Sequence, residues 1–430
     1  METYNIWTIG CQMNKADSER LGSALDQMNL SAVESPEEAD VVVVNSCVVR
    51  KSAEDKVTGM LTRLNGFKKS NPSQVIALMG CMVGPRQEKL QKQYPYVDVF
   101  MRPQDYDPLL QLIGLKTGID PEGCVGDLIA APGVTAFIPI IHGCDKFCSF
   151  CIIPYRRGRE ISRTINDVVR ETKLLVDRGV KEITLLGQNV DSYGHDFDEK
   201  TDLADLLIAL NDIRKLRRIR FLTSHPNDMS DRIIDTVAEL DKICEHFNLP
   251  FQAGDDMVLE RMRRGYTNKQ YRLLVDKIRK RIPTVSMSTD LIVGFSGETV
   301  EQFEKSVEMI RDVKFDKVHS ASYSVREGTI AARTMPDDVP FEDKKSRLKA
   351  IDDLQKDIQK NINYRLNGSI QEVLVENRKN GILEGRTKND KLVRISGIEN
   401  PLGNMVQVKI ETTGPWSLSG SIVNPLEVLI

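Results

Sequence analysis

The sequence predicts an α/β protein built from three parts, and two observations support that prediction. From residue 1 to about 120, and again from about 130 to 366, apolar β-prone segments alternate with helical segments. Such alternation is typical of parallel strands connected by helices. From 367 to 430 the segments become short and partly alternating, with Gly, Asn and Pro between them, which is typical of a small antiparallel β-barrel.

Composition limits the class of protein. The chain has 430 residues, 40% of them apolar, which fits two or three ordinary domains. Its 62 acidic and 59 basic residues give a net charge of −3, so RNA contacts must come from local basic patches. Because neither a membrane-spanning run nor a secretory signal is present in the sequence, we expect a cytoplasmic enzyme without membrane association. Its eight cysteines are then metal ligands, catalytic thiols or packing residues rather than disulfides.

The first part, 1–120, reads as a small parallel α/β domain. Strands are predicted at 4–9, 40–45 and 74–79, and helices at about 17–28, 52–68 and 84–94. The run of four valines from Val41 to Val44 is typical of a strand buried on both faces. Clustered Gly and Pro between 121 and 133 then predict a linker.

The second part, 130–366, contains six strand–helix units, which favours a partial (β/α)6 barrel over a full eight-stranded one. The predicted strands are 136–141, 182–186, 219–222, 246–249, 286–293 and 317–321. The predicted helices include 165–178, 231–240, 268–280 and 301–313, and a charged helix at about 342–365 ends this part.

The third part, 367–430, has predicted strands at 371–376, 392–396, 405–410 and 417–422. They indicate a small barrel of the oligonucleotide-binding sort. Its seven basic and seven acidic residues balance, so composition leaves a second interpretation open, that of a structural cap on the central barrel.

Three closely spaced cysteines, Cys144, Cys148 and Cys151, directly follow the first predicted barrel strand. Residues just beyond the carboxyl end of a barrel strand line its active face. Three thiolates can hold a 4Fe–4S cluster and leave its fourth iron open to chelate S-adenosylmethionine. The alternatives are structural zinc, with His142 as a fourth ligand, and simple burial of the thiols.

A second set of cysteines, Cys11, Cys47 and Cys81, is spread over the first part, each just past the end of a predicted strand. The carboxyl ends of parallel strands meet at one edge of the sheet, so these thiols are predicted to converge and to hold a second cluster. The alternative is that each is a small buried residue that ends its strand. Cys124 and Cys244 match neither pattern and are expected to be structural.

Several motifs resemble the methylthiotransferase family of radical S-adenosylmethionine enzymes. The resemblance covers nearly the whole chain in order: an N-terminal methylthiotransferase domain, a radical barrel and a C-terminal TRAM domain. The motifs are GCQMN at 10–14, GCDKFCSFC at 143–151, PY at 154–155, RGRE at 157–160, LGQNV at 186–190 and TSHP at 223–226. The chain differs from the usual pattern at Ala253, Asp255, Ser296 and Glu327.

The resemblance implies two 4Fe–4S clusters. Cys144, Cys148 and Cys151 would hold the cluster that cleaves S-adenosylmethionine, and the other triad an auxiliary cluster that carries the donated sulfur. One S-adenosylmethionine would supply the methyl group, and a second would yield the radical that removes hydrogen from carbon 2 of isopentenyladenosine next to the anticodon in tRNA. A low-potential electron donor and a sulfur or iron–sulfur delivery system are the other implied partners.

Two alternative functions remain open at this point. One is the same chemistry on threonylcarbamoyl-adenosine in tRNA or on an aspartate of a ribosomal protein, and Gln12-Met13 in the first motif argues against both. The other is a zinc-stabilised RNA-binding protein without catalysis.

Cofactor contacts are predicted at the ends of barrel strands. Gln188 and Asn189 end the second strand, Gln252 ends the fourth, and the segment from Asp290 to Gly294 lies on the fifth. These residues could contact the methionine, ribose and adenine groups of S-adenosylmethionine. The alternative is ordinary hydrogen bonding at the barrel rim.

Substrate contacts are predicted near the Cys144 loop. Arg156, Arg157, Arg159 and Arg163 could bind RNA phosphates, and Tyr155 and Tyr193 could stack on an extruded adenine. Two further basic groups, at 214–220 and 261–264, are more often solvated surfaces than RNA sites.

Overall fold

A computed structural model describes residues 1–48, 51–120, 133–397 and 401–423. Cys124 and most of the predicted linker lie outside the described residues. None of the described helices is both long enough and apolar enough to cross a lipid bilayer.

A five-stranded parallel sheet, with strand order β2-β1-β3-β4-β5, forms the N-terminal region. Its core fills both faces, because Val41 and Val43 pack on one side and Val42 and Val44 on the other. The elements are β1 (Thr3–Thr8), α1 (Gln12–Gln27), β2 (Ser31–Ala32), β3 (Val41–Ser46), α2 (Lys51–Ser70), β4 (Val75–Gly80), α3 (Glu88–Gln93), β5 (Val99–Met101) and α4 (Asp107–Thr117).

This region differs from the sequence prediction at three places. Helix α1 begins at Gln12 rather than near Asp17, because the extended residue Cys11 takes its N-cap position. The helix expected from Gly84 is short and begins only at Glu88. The pair β5 and α4 was not predicted, since a strand of three residues carries almost no periodic signal.

The central region has six parallel barrel strands in two hydrogen-bonded groups, β10-β9-β6 and β11-β12-β13. A bridge between Ile219 and Ile243 links the groups, which confirms the partial barrel. The elements are β6 (Thr135–Pro139), β7 (Ile141–His142), α5 (Ile153–Arg157), β8 (Ile161–Ser162), α6 (Ile165–Asp177), β9 (Glu182–Leu186), α7 (Leu203–Asn211), β10 (Arg218–Phe221), α8 (Asp231–Glu239), β11 (His246–Asn248), α9 (Asp256–Arg261), α10 (Asn268–Arg281), β12 (Ser286–Val293), α11 (Val300–Val313), β13 (Lys317–Ser322), α12 (Ile330–Thr334) and α13 (Phe341–Tyr364).

The C-terminal region is a closed barrel with strand order β14-β15-β16-β18-β17, as the fold class predicted. Two details differ. Strand β15 was not predicted, because Gly and charged residues hide its alternation, and β16 pairs with β18 in parallel rather than antiparallel fashion. The elements are β14 (Ile370–Lys379), β15 (Ile382–Thr387), β16 (Leu392–Ser396), β17 (Met405–Thr413) and β18 (Leu418–Ile422).

Two arginines of strand β10 attach the C-terminal barrel to the central one. Arg218 donates to the carbonyl of Arg386 at 2.7 Å, and Arg220 donates to the carbonyl of Thr387 at 2.6 Å. Both side chains are buried. The basic group at 214–220 is therefore in part an internal contact between barrels, since two of its arginines are already occupied by protein carbonyls.

Candidate functional site

The first cysteine triad lies in the loop between β7 and α5. Backbone hydrogen bonds close this loop, from Cys144 N to the carbonyl of Gly158 at 3.2 Å and from Cys151 N to the carbonyl of Cys148 at 3.0 Å. Gly143 has φ +75°, and a Cβ there would lie 2.0 Å from the carbonyl oxygen of Arg159. Only glycine fits this position, so the tight turn is part of what presents the three thiols.

A buried arginine supplies positive charge to this triad. Arg264 is almost fully buried and its Nη1 lies 3.3 Å from Cys148 Sγ. Its other side-chain hydrogen bonds go to Tyr266 Oη and to the carbonyl of Pro250. Within the described part of the chain it has no carboxylate partner. Because a buried cation needs a negative neighbour, its position fits a thiolate or an anionic metal cluster at Cys148.

Burial disfavours the thiolate form of two cysteines in this triad, Cys144 and Cys151. Burial raises the pKa of Cys144 to about 12 and that of Cys151 to about 12, and the neighbouring Cys148 contributes to both shifts. Thiols become thiolates when a metal binds them. These cysteines therefore suit a metal centre, because the metal supplies the positive charge that stabilises their thiolate forms.

The second triad is brought together by the ends of three parallel strands. Cys81 N donates to the carbonyl of Ser46 at 3.0 Å, which places Cys81 beside Cys47. A Cβ built on Gly10 would lie 2.9 Å from the Cβ of Cys47, so the turn that carries Cys11 touches the same point. The three cysteines thus share one edge of the sheet. Their role as cluster ligands stays a prediction.

Asn14 is a residue of this site that the sequence interpretation gave no role. Its Nδ2 donates to Asn45 Oδ1 at 3.1 Å and to the carbonyl of Ser46 at 2.9 Å, and its Oδ1 lies 3.3 Å from Cys11 Sγ. The side chain is fully buried and ties helix α1 to strand β3. The sequence feature that could have indicated this contact is the three-residue spacing between Cys11 and Asn14, which places both on one face of a helical turn.

The charges at this edge act on one another. Burial raises the pKa of the Cys81 thiol to about 11, Arg157 opposes the shift, and Cys11 and Cys47 add to it. Mutual influence of this kind requires short distances between the groups. Three thiols and one arginine therefore form a single electrostatic unit.

The two triads lie next to each other across the contact between the N-terminal and central regions, which we call the seam. Cys81 packs in one buried apolar group with Val48 and with Ile152, the residue directly after Cys151. Arg157 Nη2 crosses the seam to Asp17 Oδ2 at 2.9 Å, with the two side chains only 3% and 1% exposed. At the seam, the sheet edge that carries Cys11, Cys47 and Cys81 therefore lies against the Cys144 loop.

One ring nitrogen of the fourth ligand proposed for zinc is engaged elsewhere. Among the described residues, no group of three or more Cys, His, Asp or Glu side chains lies close enough to hold one metal ion. His142, the residue proposed as a zinc ligand, instead places its Nδ1 2.6 Å from Gln104 Nε2.

Polar groups at the barrel rim suit a polar cofactor. The side-chain amide oxygens of Gln188, Asn189 and Gln252 are all buried without a hydrogen-bond partner within the described part of the protein. A buried acceptor without a donor is costly, which indicates that a ligand with several donors fits here. The amino group and ribose hydroxyls of S-adenosylmethionine are such donors.

The other two predicted cofactor residues differ from each other. Asp290 accepts a hydrogen bond from Asn248 Nδ2 at 3.2 Å and remains partly exposed. Gly294 is buried, donates its N–H to Glu298 at 2.5 Å, and lies where a Cβ would meet Lys344. Its surroundings are therefore protein groups of the loop before α11 and of α13 rather than an open rim.

The predicted substrate residues do not all face one surface. Arg159 is exposed and pairs with Asp145 at 2.6 Å, and Arg163 pairs with Glu171 at 2.6 Å. The Tyr193 ring is completely buried and its hydroxyl donates to the carbonyl of Arg163. A stacking role for Tyr193 would require its release from this core, so we do not retain it.

The remaining substrate candidates line the seam. Tyr155 is half-buried, packs against the apolar group around Cys81, and meets the Phe147 ring edge-on at 6.0 Å between centroids. Arg156 and Arg157 line a cavity of about 390 Å³. Arg102 and Gln104, from the loop before α4, complete that cavity and were not identified from the sequence.

Comparisons with known families divide the chain along the same lines as the fold. Residues 3–102 match an uncharacterized protein family, UPF0004. Residues 138–310 match the Radical SAM superfamily, and residues 365–423 match the TRAM domain.

Curated relatives match over almost the whole chain. A protein of Dehalococcoides mccartyi (strain CBDB1), named tRNA-2-methylthio-N(6)-dimethylallyladenosine synthase, is 48% identical and covers 99% of this chain and 100% of its own length. A protein of the same name from Roseiflexus sp. (strain RS-1) is 46% identical, covering 97% of this chain and 89% of its own length.

Solved structures agree on the fold alone. The radical S-adenosylmethionine methyltransferase TsrM from Kitasatospora setae aligns with a TM-score of 0.58 at 13% identity, over 86% of this chain and 81% of its own. The cobalamin-dependent S-adenosylmethionine radical enzyme OxsB aligns with a TM-score of 0.52 at 10% identity, over 83% of this chain and 56% of its own.

The partial barrel with its three-cysteine loop defines a radical S-adenosylmethionine enzyme, which uses S-adenosylmethionine and 4Fe–4S chemistry. At the level of sequence the assignment is narrower. The chain belongs to the family of tRNA-2-methylthio-N(6)-dimethylallyladenosine synthases, whose names place tRNA as the substrate.

Proposed function

We propose that this chain inserts a methylthio group at carbon 2 of N(6)-dimethylallyladenosine, also called isopentenyladenosine, next to the anticodon in tRNA. The observation that supports it is the seam, where Cys81 packs against Ile152 beside Cys151. Sulfur insertion needs a sulfur-carrying site and a radical-generating site that reach the same carbon. Packing of Cys81 against the residue next to Cys151 supports such an arrangement of the two triads.

The chemistry explains why two sites are needed. An aromatic C–H bond is neither acidic nor electrophilic enough for acid–base chemistry at neutral pH. When bound, the clusters and S-adenosylmethionine supply the carbon radical and the methylthio sulfur. The work of the protein is to bind these groups, to orient them on one target and to exclude water from the space between them.

Each residue set has a role in the proposal. Cys144, Cys148 and Cys151 would ligate the cluster that binds S-adenosylmethionine, with Arg264 as a fixed positive charge beside Cys148. Cys11, Cys47 and Cys81 would ligate the auxiliary cluster, with Asn14 holding that edge together. The amide groups of Gln188, Asn189 and Gln252, with Asp290 further along the rim, would bind the cofactor's polar groups.

The surrounding assembly follows from the same proposal. Three domains, at 1–120, 130–366 and 367–430, would provide the auxiliary cluster, the radical cluster and an RNA-binding barrel. Tyr155 and the arginines near it, including Arg159 and Arg163 at the periphery, would contact tRNA. A low-potential electron donor and a sulfur or iron–sulfur delivery system would complete the reaction. Because its substrate is tRNA, we propose a cytoplasmic location.

A direct test compares RNA substrates. Reconstituted enzyme with S-adenosylmethionine and a reductant should convert isopentenylated tRNA to the 2-methylthio product and leave unmodified tRNA unchanged, as measured by mass spectrometry of the nucleosides. Conversion of threonylcarbamoyl-adenosine instead would refute the substrate assignment. Anaerobically purified protein should contain about eight irons per chain, four for each cluster. Zinc without iron would refute the enzymatic proposal altogether.

A further inference from the structure

Three arginines, Arg102, Arg156 and Arg157, are among the seven residues that line the cavity at the seam. Arg102 and Gln104 approach it from the N-terminal region, and His142, Arg156 and Arg157 approach it from the central barrel. Asp105 is the acidic residue of the lining, and this residue is exposed to solvent. Neither region alone forms this cavity, so it exists only where the two cysteine sites meet.

Each of the three arginines has a buried nitrogen that lacks an acceptor. Among the described residues, Arg102 Nε, Arg156 Nε and Arg157 Nη1 have no hydrogen-bond partner. The Arg157 side chain is only 3% exposed. Buried guanidinium donors are normally satisfied, so three of them around one cavity indicate a missing group that is rich in acceptors.

The neighbouring acidic groups are already engaged. Asp17 receives Arg157 Nη2 at 2.9 Å and Gln104 Nε2 at 3.2 Å. Glu54 and Glu327 influence Arg156, but they pair with Arg326 and Lys89 respectively. Arg102 Nη2 donates to the carbonyl of Arg156 at 3.2 Å, which joins two of the arginines to each other. The protein therefore leaves a surplus of positive charge in the cavity.

We propose that this cavity binds a phosphodiester of the RNA substrate, the one adjoining the target adenosine. The proposal rests on the proposed function and deepens it by naming the group that positions the nucleotide. Planar guanidinium groups arranged around one point match a phosphate, which offers several acceptor oxygens. A base that enters between the two triads brings its own phosphate to the seam, and phosphate contacts fix the register of a bound nucleic acid.

Substitution of Arg102 best tests phosphate binding without a change in the charge around the cysteines. Arg157 acts on Cys81 and Cys11, and Arg156 on Cys81, so their removal would disturb the auxiliary edge. Arg102 follows strand β5, and within the described part of the chain no interaction between it and a cysteine is seen. Arg102→Met tests the phosphate site, Arg102→Lys keeps the charge, and Arg311→Met, at an exposed position on α11, is the matched control.

The experiment measures binding of stem-loop RNAs that contain isopentenylated adenosine to reconstituted holoenzyme, by fluorescence anisotropy at fixed ionic strength. One RNA has natural linkages, and two others carry a single neutral methylphosphonate on the 5′ or the 3′ side of the target. We expect Arg102→Met to weaken the binding of natural RNA about tenfold. Arg102→Lys should recover most of that affinity, and Arg311→Met should leave it unchanged. For the RNA whose neutral linkage replaces the phosphate bound by Arg102, Arg102→Met should lower the affinity by less than about twofold.

Equal losses with natural and both neutral RNAs would overturn the proposal, as would a fall in the iron content of Arg102→Met, which would assign the arginine to the auxiliary cluster. Inorganic phosphate should compete with natural RNA for the wild type and less for Arg102→Met; equal competition would also overturn it. Methylthiolation by the same wild-type preparation is measured in parallel. Its absence would refute the proposed function, whereas its presence without the linkage effect would refute the phosphate site alone.

Discussion

The two cysteine triads differ in how the chain assembles them. Cys144, Cys148 and Cys151 lie in one loop whose own backbone hydrogen bonds close it. Cys11, Cys47 and Cys81 come from three strand ends and meet only because β1, β3 and β4 pair in register. The first site is thus a local structure and the second a tertiary one. A disturbance of the sheet should therefore damage the second and spare the first.

The largest expected effect is the loss of the local site. Cys148→Ala removes the central thiol of the loop and the partner of Arg264, so cleavage of S-adenosylmethionine should be abolished. Iron should fall from about eight to about four per chain, because the auxiliary triad is untouched. Release of 5′-deoxyadenosine and total iron are the measurements. Cleavage at the wild-type rate in this variant would mean that the loop is not the radical site.

Loss of the assembled site should separate two activities. Cys47→Ala should also leave about four irons, yet cleavage of S-adenosylmethionine should continue while methylthiolation stops. The reason is that the Cys144 loop does not depend on Cys47. Both products are quantified in one reaction by mass spectrometry. Full methylthiolation by Cys47→Ala would remove the auxiliary role from this triad.

A backbone change should have a smaller effect on the same site. Gly80 has φ +101°, and a Cβ there would lie 2.5 Å from the carbonyl oxygen of Ser46. Gly80→Ala should therefore displace Cys81 and reduce auxiliary iron, with a cost on the order of 1–3 kcal/mol in strain.

The control for that variant is Gly59→Ala on helix α2, where a Cβ would meet no atom within 4 Å. It should retain all iron and be slightly more stable, because alanine favours a helix. Iron analysis and thermal unfolding check both variants. If Gly80→Ala retains both clusters, the strand register is less important to the assembled site than the structure indicates.

The smallest expected effect concerns the charge beside the local site. Arg264→Met removes a buried positive charge 3.3 Å from Cys148 Sγ, which should make reduction of that cluster harder. Its potential should become more negative by on the order of 50 mV, and Arg264→Lys should shift it less. Redox titration followed by electron paramagnetic resonance, in the Cys47→Ala background, isolates this cluster. Identical potentials in all three proteins would contradict the counter-charge role.

Local patterns predicted much of this protein. Strands 182–186 and 286–293 were placed at their observed bounds, because apolar and β-branched residues are enriched there between Gly and Pro residues. The α/β class, the partial barrel and the C-terminal barrel were also predicted. The short strand Val99–Met101 was not, since three residues cannot show a period.

The predictions for single side chains were less complete. Arg157 was identified as a basic residue near the cluster loop, but its ion pair with Asp17 joins segments that are far apart in the sequence. Tyr193 was expected to face a base and lies in the core instead. Arg102 was missed as a site residue because it lies outside the quoted motifs and reaches the cavity only through the fold. Arg264 was counted in a basic group expected to be solvated, and Asn14 was given no role within its motif, because only the fold buries these side chains beside cysteines.

The sequence by itself determined the order of the three regions, the spacing of the first triad and the family resemblance, because those features are local or carried by contiguous motifs. Tertiary structure alone decided that the two triads meet at a seam and that three arginines converge there. It also decided which arginines are occupied by carbonyls and carboxylates. The physical reason is that periodicity and turn chemistry report on neighbours along the chain, whereas charge compensation and cavity formation depend on neighbours in space.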